Sequence, residues 1–269
     1  MDVYADPEHQ PFCFESGAAG ALLLHGFMGS PKEMRPVGRA LADAGVASQG
    51  ILLPGFAGDI AHLRRVGAAD WVRAARVAWD ELRRHHDRRL LVGFSMGGAV
   101  ALQVAAADAP DGLVLLAPHW RFADRRAVAL PLLKYVTRDF RPFARADFAD
   151  PEVRQALLEM SADLDLDDPA TRHRLRHETV IPTRTLDELR RVSSGAGRAA
   201  RRVTSPALIV QGRGDRTVLP GDTRQLASRL GGPINVQEVD AGHLLVDPDA
   251  PAWASIRDHV LRFAASSVA

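Results

Sequence analysis

A doubly wound α/β fold with a mostly parallel sheet is the architecture this sequence predicts, and three observations carry the prediction. Short, wholly apolar runs recur along the chain, each closed by Gly, Pro or polar residues. Amphipathic helical patterns lie between them. One long stretch, residues 119–204, loses the strand signal and keeps the helical one. Strand alternating with helix is the sequence form of a parallel sheet covered on both faces.

In chain order the apolar runs are Ala21-Leu22-Leu23-Leu24, Leu90-Leu91-Val92, Leu113-Val114-Leu115-Leu116 and Ala207-Leu208-Ile209-Val210. Runs without alternation suit strands buried on both faces. Residues 234–239 alternate, as a strand near a sheet edge does. Helices are predicted over residues 33–44, 68–85, 97–107, 222–230 and 252–265, where apolar residues return at intervals of three and four. Inside the interruption the same period predicts helices over residues 128–136, 151–158, 171–179 and 183–192. Its apolar residues, Leu130, Leu132, Leu133, Leu157 and Leu186 among them, are too many for a solvated linker. Ser205-Pro206 marks the return to the sheet. The expected organisation is a core of residues 1–118 and 205–269, with residues 119–204 inserted as a helical cap.

Composition narrows the function. The chain has 269 residues, 46% hydrophobic and 25% charged, as in ordinary soluble globular proteins. Its 34 cations and 33 anions leave a net charge of +1, which argues against a nucleic-acid partner. A single cysteine, Cys13, cannot form an internal disulfide. Residues 1–8 are acidic and lack the apolar core of a signal peptide. The longest weakly polar run, residues 92–107, falls short of the ~18 apolar residues of a membrane span. A cytoplasmic protein without a stable membrane anchor, monomeric or homodimeric, is therefore expected.

Chemistry enters at Gly93-Phe94-Ser95-Met96-Gly97, between a predicted strand and a predicted helix. The G-x-S-x-G spacing turns the chain sharply there and exposes the serine hydroxyl on a strained backbone. A serine needs a base, oriented by a third group, to act as a nucleophile. Asp215 follows the strand pattern of residues 207–210, and His243 follows that of residues 234–239. Both would stand at carboxyl ends of strands, where ligand chemistry gathers in open α/β sheets. Asp240 and Asp247 flank His243 and are rival acids; Asp215 is preferred because a loop from another strand can reach across to the imidazole. Backbone amides must also receive the oxyanion. Met96, after the nucleophile, and Phe27, in the loop His25-Gly26-Phe27-Met28-Gly29, are the candidates, with His25 holding that loop by hydrogen bonds. His173 and His177 share one helical face, but no third ligand follows at a suitable spacing, so no metal is expected. His85, His86 and His259 lie in polar helical patterns and read as solvated.

With these segments, and with Leu53-Pro54-Gly55-Phe56-Ala57-Gly58 and Asp70-Trp71, the chain resembles the α/β-hydrolase family, and more narrowly the small bacterial carboxylesterases and monoacylglycerol lipases. The resemblance spans residues 11–118 and 205–265. It implies Ser95 as nucleophile, Asp215 as acid, His243 as base, Phe27 and Met96 as oxyanion donors, and no cofactor. It also implies a small-molecule ester substrate with an apolar acyl chain. Phe27, Met96, Phe56, Trp120, Phe122 and Leu244 are candidates to line the acyl pocket. Relatives usually carry a histidine or tyrosine where Phe56 or Ala57 stands. A thioesterase, an amidase or a cofactor-free perhydrolase would use the same triad, and an inactive ligand-binding relative would usually have lost one of its members. A dehalogenase or epoxide hydrolase would place an aspartate where Ser95 stands.

Overall fold

The computed structural model describes residues 6–158 and 164–268; residues 1–5, part of the acidic start noted above, lie outside it. In chain order the regular elements are β1 (Phe12–Phe14), β2 (Ala19–Leu24), α1 (Arg35–Asp43), β3 (Val46–Ile51), α2 (Ala68–His85), β4 (Arg89–Phe94), α3 (Met96–Ala105) and β5 (Gly112–Leu116). There follow α4 (Leu130–Val136), β6 (Asp139–Phe140), α5 (Pro151–Leu158), α6 (Pro169–His177), β7 (Ile181–Pro182) and α7 (Thr183–Ala199). The chain closes with β8 (Ala207–Gly212), α8 (Pro220–Ala227), β9 (Ile234–Val239) and α9 (Trp253–Val268).

Seven strands form one sheet in the order β1-β3-β2-β4-β5-β8-β9. Only β1 runs antiparallel, against β3; the other pairings are parallel. Three of these strands, β1, β3 and β9, lie outside the unbroken apolar runs. In β3, Ser48 sits buried and donates its hydroxyl to the Gly38 carbonyl at 2.8 Å. Gly50 leaves room for the Phe12 ring, which a Cβ there would meet at 2.2 Å.

The apolar strands divide their residues between the two faces, because successive side chains point to opposite sides. Leu22, Leu24, Leu91, Leu113, Leu115 and Ile209 join one hydrophobic cluster with Trp71 and Trp79 of α2, Val100 of α3 and Leu226 of α8. Leu23, Leu90, Val92, Val114, Leu116 and Leu208 join the other with Val37 and Leu41 of α1 and Ile256 and Val260 of α9. The sheet is therefore covered on both sides, and its central strands show unbroken apolar runs for that reason.

Between β5 and β8 the chain forms α4 to α7 and the two-residue ladder β6–β7, in which Phe140 pairs with Ile181. These helices do not behave alike. Phe148, Leu157 and Leu166 make a small cluster of their own. Leu189, Val192 and Ala196 of α7 instead enter the cluster shared by α2, α3 and the sheet. Glu188 Oε2 accepts the Ala68 amide at 3.0 Å, fastening α7 to the start of α2. Parallel neighbours need a crossover element on the sheet face, and α7 fills that position between β5 and β8. The C-terminal part of residues 119–204 therefore packs as one of the helices that cover the sheet. Among the described residues no helix is long and apolar enough to cross a membrane.

Candidate functional site

Ser95 occupies the turn between β4 and α3 with φ 51° and ψ −115°. Positive φ is costly for a residue with a Cβ and persists where the surroundings enforce it. Here they do. The Ser95 amide donates to the Leu116 carbonyl at 2.9 Å, and the Ser95 carbonyl accepts from Gly98 and His119, both at 3.0 Å. Gly97 makes the turn sterically possible, since a Cβ there would stand 2.1 Å from the Leu24 carbonyl oxygen.

Two loops from the next strands complete a hydrogen-bonded chain. Asp215, beyond β8, is 2% exposed and accepts four hydrogen bonds. Oδ1 takes the amides of Thr217 and Val218, both at 2.8 Å. Oδ2 takes Gln211 Nε2 at 3.0 Å and His243 Nδ1 at 2.8 Å. An ionised carboxylate only accepts, so the proton on this side of the imidazole belongs to Nδ1. Nε2 then carries the lone pair, and it lies 2.9 Å from Ser95 Oγ, whose hydroxyl donates to it. Gln211 was not legible as a site residue. Its orientation is set by Thr223 Oγ1, which donates to Oε1 at 2.6 Å, and by the Val218 carbonyl, which accepts from Nε2 at 3.0 Å. Asp240 is exposed, and Asp247 Oδ1 accepts the Asp249 amide at 3.0 Å; His243 bonds to neither.

The loop after β2 borders Ser95 from the other side. His25, wholly buried, accepts the Leu53 amide on Nε2 at 3.0 Å. Its proton therefore sits on Nδ1 and is donated to the Gly26 carbonyl at 2.8 Å. Burial lowers the His25 pKa to about 4 and keeps the ring neutral. The Gly26 carbonyl and the Phe27 amide share one planar trans peptide, so anchoring the oxygen aims the N–H the opposite way. Among the described residues no backbone acceptor takes the amide of Phe27 or of Met96.

The candidate pocket residues separate in space. Phe56 and Met96 have no exposed surface. Phe56 stacks on Trp71 with ring centres 5.5 Å apart and meets Phe27 edge-on at 5.6 Å. Trp120 is buried on the α7–α8 side, where its Nε1 donates to the Asp222 carbonyl at 2.9 Å and Arg229 covers its ring at 4.5 Å. Phe27 and Phe122 keep part of their surface. Leu244 does too, and with Gly242, Asp240, Pro151 and Leu158 it borders a groove of about 580 Å³ whose lining includes neither Ser95 nor His243.

His119 is a second residue that sequence reasoning missed. Its amide bonds Ser95, its ring meets Phe122 edge-on at 5.0 Å, and its Nδ1 lies 2.8 Å from Ser193 Oγ of α7. Ser193 donates its own proton to the Leu189 carbonyl at 2.7 Å, so the Nδ1–H is the donor to it. Burial first, and the charge of His243 second, lower the His119 pKa to about 4.

This geometry can be set against known proteins. Residues 18–242 match the family described as "Hydrolase_4: Serine aminopeptidase, S33". The chain belongs to this α/β-hydrolase family. Its similar relatives include a thermostable monoacylglycerol lipase of Bacillus sp. (strain H-257), 29% identical over 222 residues, covering 79% of this chain and 77% of that protein. A carboxylesterase of Bacillus subtilis (strain 168) is 24% identical over 135 residues, 50% of this chain and 54% of that one. Among solved structures, one described under "LipS and LipT, two metagenome-derived lipolytic enzymes" has a TM-score of 0.78 at 22% identity, covering 97% of this chain and 98% of that one. A Paleococcus ferrophilus monoacylglycerol lipase has a TM-score of 0.69 at 16% identity, covering 96% and 98%. The mostly parallel seven-stranded sheet is the fold this Hydrolase_4 member shares with them.

Proposed function

We propose that this Hydrolase_4 member is a serine hydrolase that cleaves carboxylic esters of small molecules through an acyl-enzyme on Ser95. One observation carries the reading: the chain Ser95 Oγ–His243 Nε2 at 2.9 Å and His243 Nδ1–Asp215 Oδ2 at 2.8 Å, with its direction fixed by an acceptor-only carboxylate.

In this mechanism His243 Nε2 takes the Ser95 proton as Oγ attacks the ester carbonyl carbon. The imidazolium forms beside Asp215, which pairs with no other cation among the described residues. The carbonyl oxygen becomes an oxyanion and receives the Phe27 and Met96 amides. His243 then gives its proton to the departing alkoxide, leaving an ester of Ser95. Water, deprotonated by the same imidazole, attacks that ester and returns the serine. Nucleophile, base and orienting acid come from the chain itself, so no cofactor is required.

Residues 119–182 are proposed to roof the site as a cap, with Phe122 and Leu244 toward the acyl chain. The name of the Bacillus relative supports an ester with an apolar acyl chain. The test compares the wild type with Ser95→Ala on a nitrophenyl ester series, on the matching anilides and with a fluorophosphonate probe. Wild-type protein labels on Ser95 and turns over esters faster than anilides. Ser95→Ala folds, escapes labelling and loses about 10⁶ in kcat, the cost of removing the nucleophile in a related triad. A variant retaining a tenth of the activity would overturn the reading.

A further inference from the structure

The carboxyl group of Glu33 sits beneath the loop that carries Phe27 and has no part in the chemistry above. Its Oε2 accepts the Gly26 amide at 3.1 Å. Among the described residues no cation pairs with it; Lys32, its neighbour, reaches Glu8 at 3.4 Å instead. Oε1 lies against Gly29, where a Cβ would meet it at 2.2 Å. A Cβ on Gly26 would stand 3.2 Å from the Phe94 ring and 3.4 Å from Glu33 Oε2, and that ring lies 5.2 Å from the His243 ring. Glu33 is half-buried and, among the described residues, has no cation partner, so its carboxyl shifts toward the neutral form. Burial pushes the Glu33 pKa up to about 7.

Gly26 is the residue of the loop with least steric guidance, because glycine samples backbone angles freely. Its carbonyl is fixed by His25 Nδ1 at 2.8 Å and by the Gly29 amide at 3.3 Å. Those contacts set the peptide that follows Gly26. The peptide that precedes it is held by Glu33. With both ends anchored, neither φ nor ψ of Gly26 can drift, and the direction of the next amide, Phe27, is set.

We infer that Glu33 is a positioning residue that aims the Phe27 amide at the oxyanion of the ester reaction. The inference rests on the serine-hydrolase reading. It gives Glu33 no contact with substrate; its effect passes through Gly26.

The test uses two substitutions that keep the volume of the site. Glu33→Gln retains an oxygen for the Gly26 amide, and Glu33→Met does not. An interaction made only in the transition state changes kcat and leaves KM alone. Glu33→Met is expected to lower kcat by 10- to 100-fold, within the range for misplacing an oxyanion donor, with KM unchanged within twofold. Its affinity for a boronic acid, which mimics the tetrahedral state on Ser95, falls in parallel. Glu33→Gln restores at least half of kcat. If Glu33→Met turns over within twofold of wild type, or Glu33→Gln is as slow as Glu33→Met, the inference is overturned. Failure of the parent reading looks different: Ser95→Ala would then stay active, whatever Glu33 does.

Discussion

Replacing Asp215 by Asn alters one atom and tests the direction of the whole hydrogen-bonded chain. The carboxylate accepts four hydrogen bonds, two of them from the backbone amides of Thr217 and Val218 at Oδ1. Those amides cannot reverse, so the Asn oxygen stays with them and the NH₂ replaces Oδ2. The new group then faces two donors, Gln211 Nε2 and His243 Nδ1, which stood 3.0 and 2.8 Å from Oδ2. Gln211 cannot turn over to accommodate it without losing the Val218 and Gly212 carbonyls, which only accept. The imidazole can adapt, by moving its proton to Nε2 so that Nδ1 accepts. That tautomer presents an N–H to Ser95 Oγ and has no lone pair left to take its proton. The corresponding change in a serine protease triad lowers kcat about 10⁴-fold, or about 5.4 kcal/mol of barrier at 1.36 kcal/mol per decade. Turnover of nitrophenyl butyrate at pH 8, with the rate of fluorophosphonate labelling alongside, measures it. Both are expected to fall by about that factor, while Asp240→Asn and Asp247→Asn stay within twofold. An Asp215→Asn protein within tenfold of wild type would show that the carboxylate does not set the tautomer.

Two further outcomes concern the fold itself. His25 and His119 have folded pKa values of about 4, so the unfolded chain binds protons between pH 4 and 6.5 that the folded one refuses. Stability is therefore lost as pH falls through that window, by up to about 3 kcal/mol for each ring. Glu33, raised to about 7, acts with the opposite sign and removes stability as pH rises from 4.5 toward 7. Urea unfolding across pH 5–8 is expected to show a maximum near pH 6.5; a steady rise to pH 8 would contradict the placement of Glu33. Gly97→Ala drives a Cβ to 2.1 Å from a backbone oxygen, so the melting temperature should drop by several degrees and Ser95 labelling should fall with it. A variant as stable as wild type would mean that the turn has slack that the geometry denies.

The legible parts of the fold are those whose signal is hydrophobic. The runs in β2, β4, β5 and β8 announce strands because both faces of each are buried. In β3 two of the buried positions are Ser48 and Gly50, small residues that let Gly38 and the Phe12 ring approach, so no run appears. The three-residue β1 is too short for a period. Around the proposed site, Ser95, Asp215 and His243 stand out from local motifs, each at a turn that follows a strand. Gln211, His119 and Glu33 are not. His119 acquires its role through Ser193, 74 residues away, and a glutamate opening an amphipathic pattern looks like any solvated helix start. Phe56 illustrates the converse limit: an aromatic in a loop near the site reads as pocket lining, yet its ring is spent supporting Phe27 and Trp71.

The pairing of β8 with β9 has a consequence for how the chain finds its register. A strand such as β9, at a sheet edge and buried fully only at Val239, is weakly guided by hydrophobicity, and a slip of one residue reverses its faces. In β9 such a slip would carry His243 about 3.3 Å along the sheet and strip it from Asp215. The frame with Gly212 opposite Val239 is also the one in which the Gly214 amide reaches the Ala241 carbonyl at 2.9 Å and Gly212 nests under Gly242, with no room for a Cβ. The imidazole–carboxylate contact thus works as a latch on the register, beside the catalytic part proposed for it. Correct assembly of the last strand and appearance of a competent site become one event, so that turnover counts the molecules whose sheet has closed in frame.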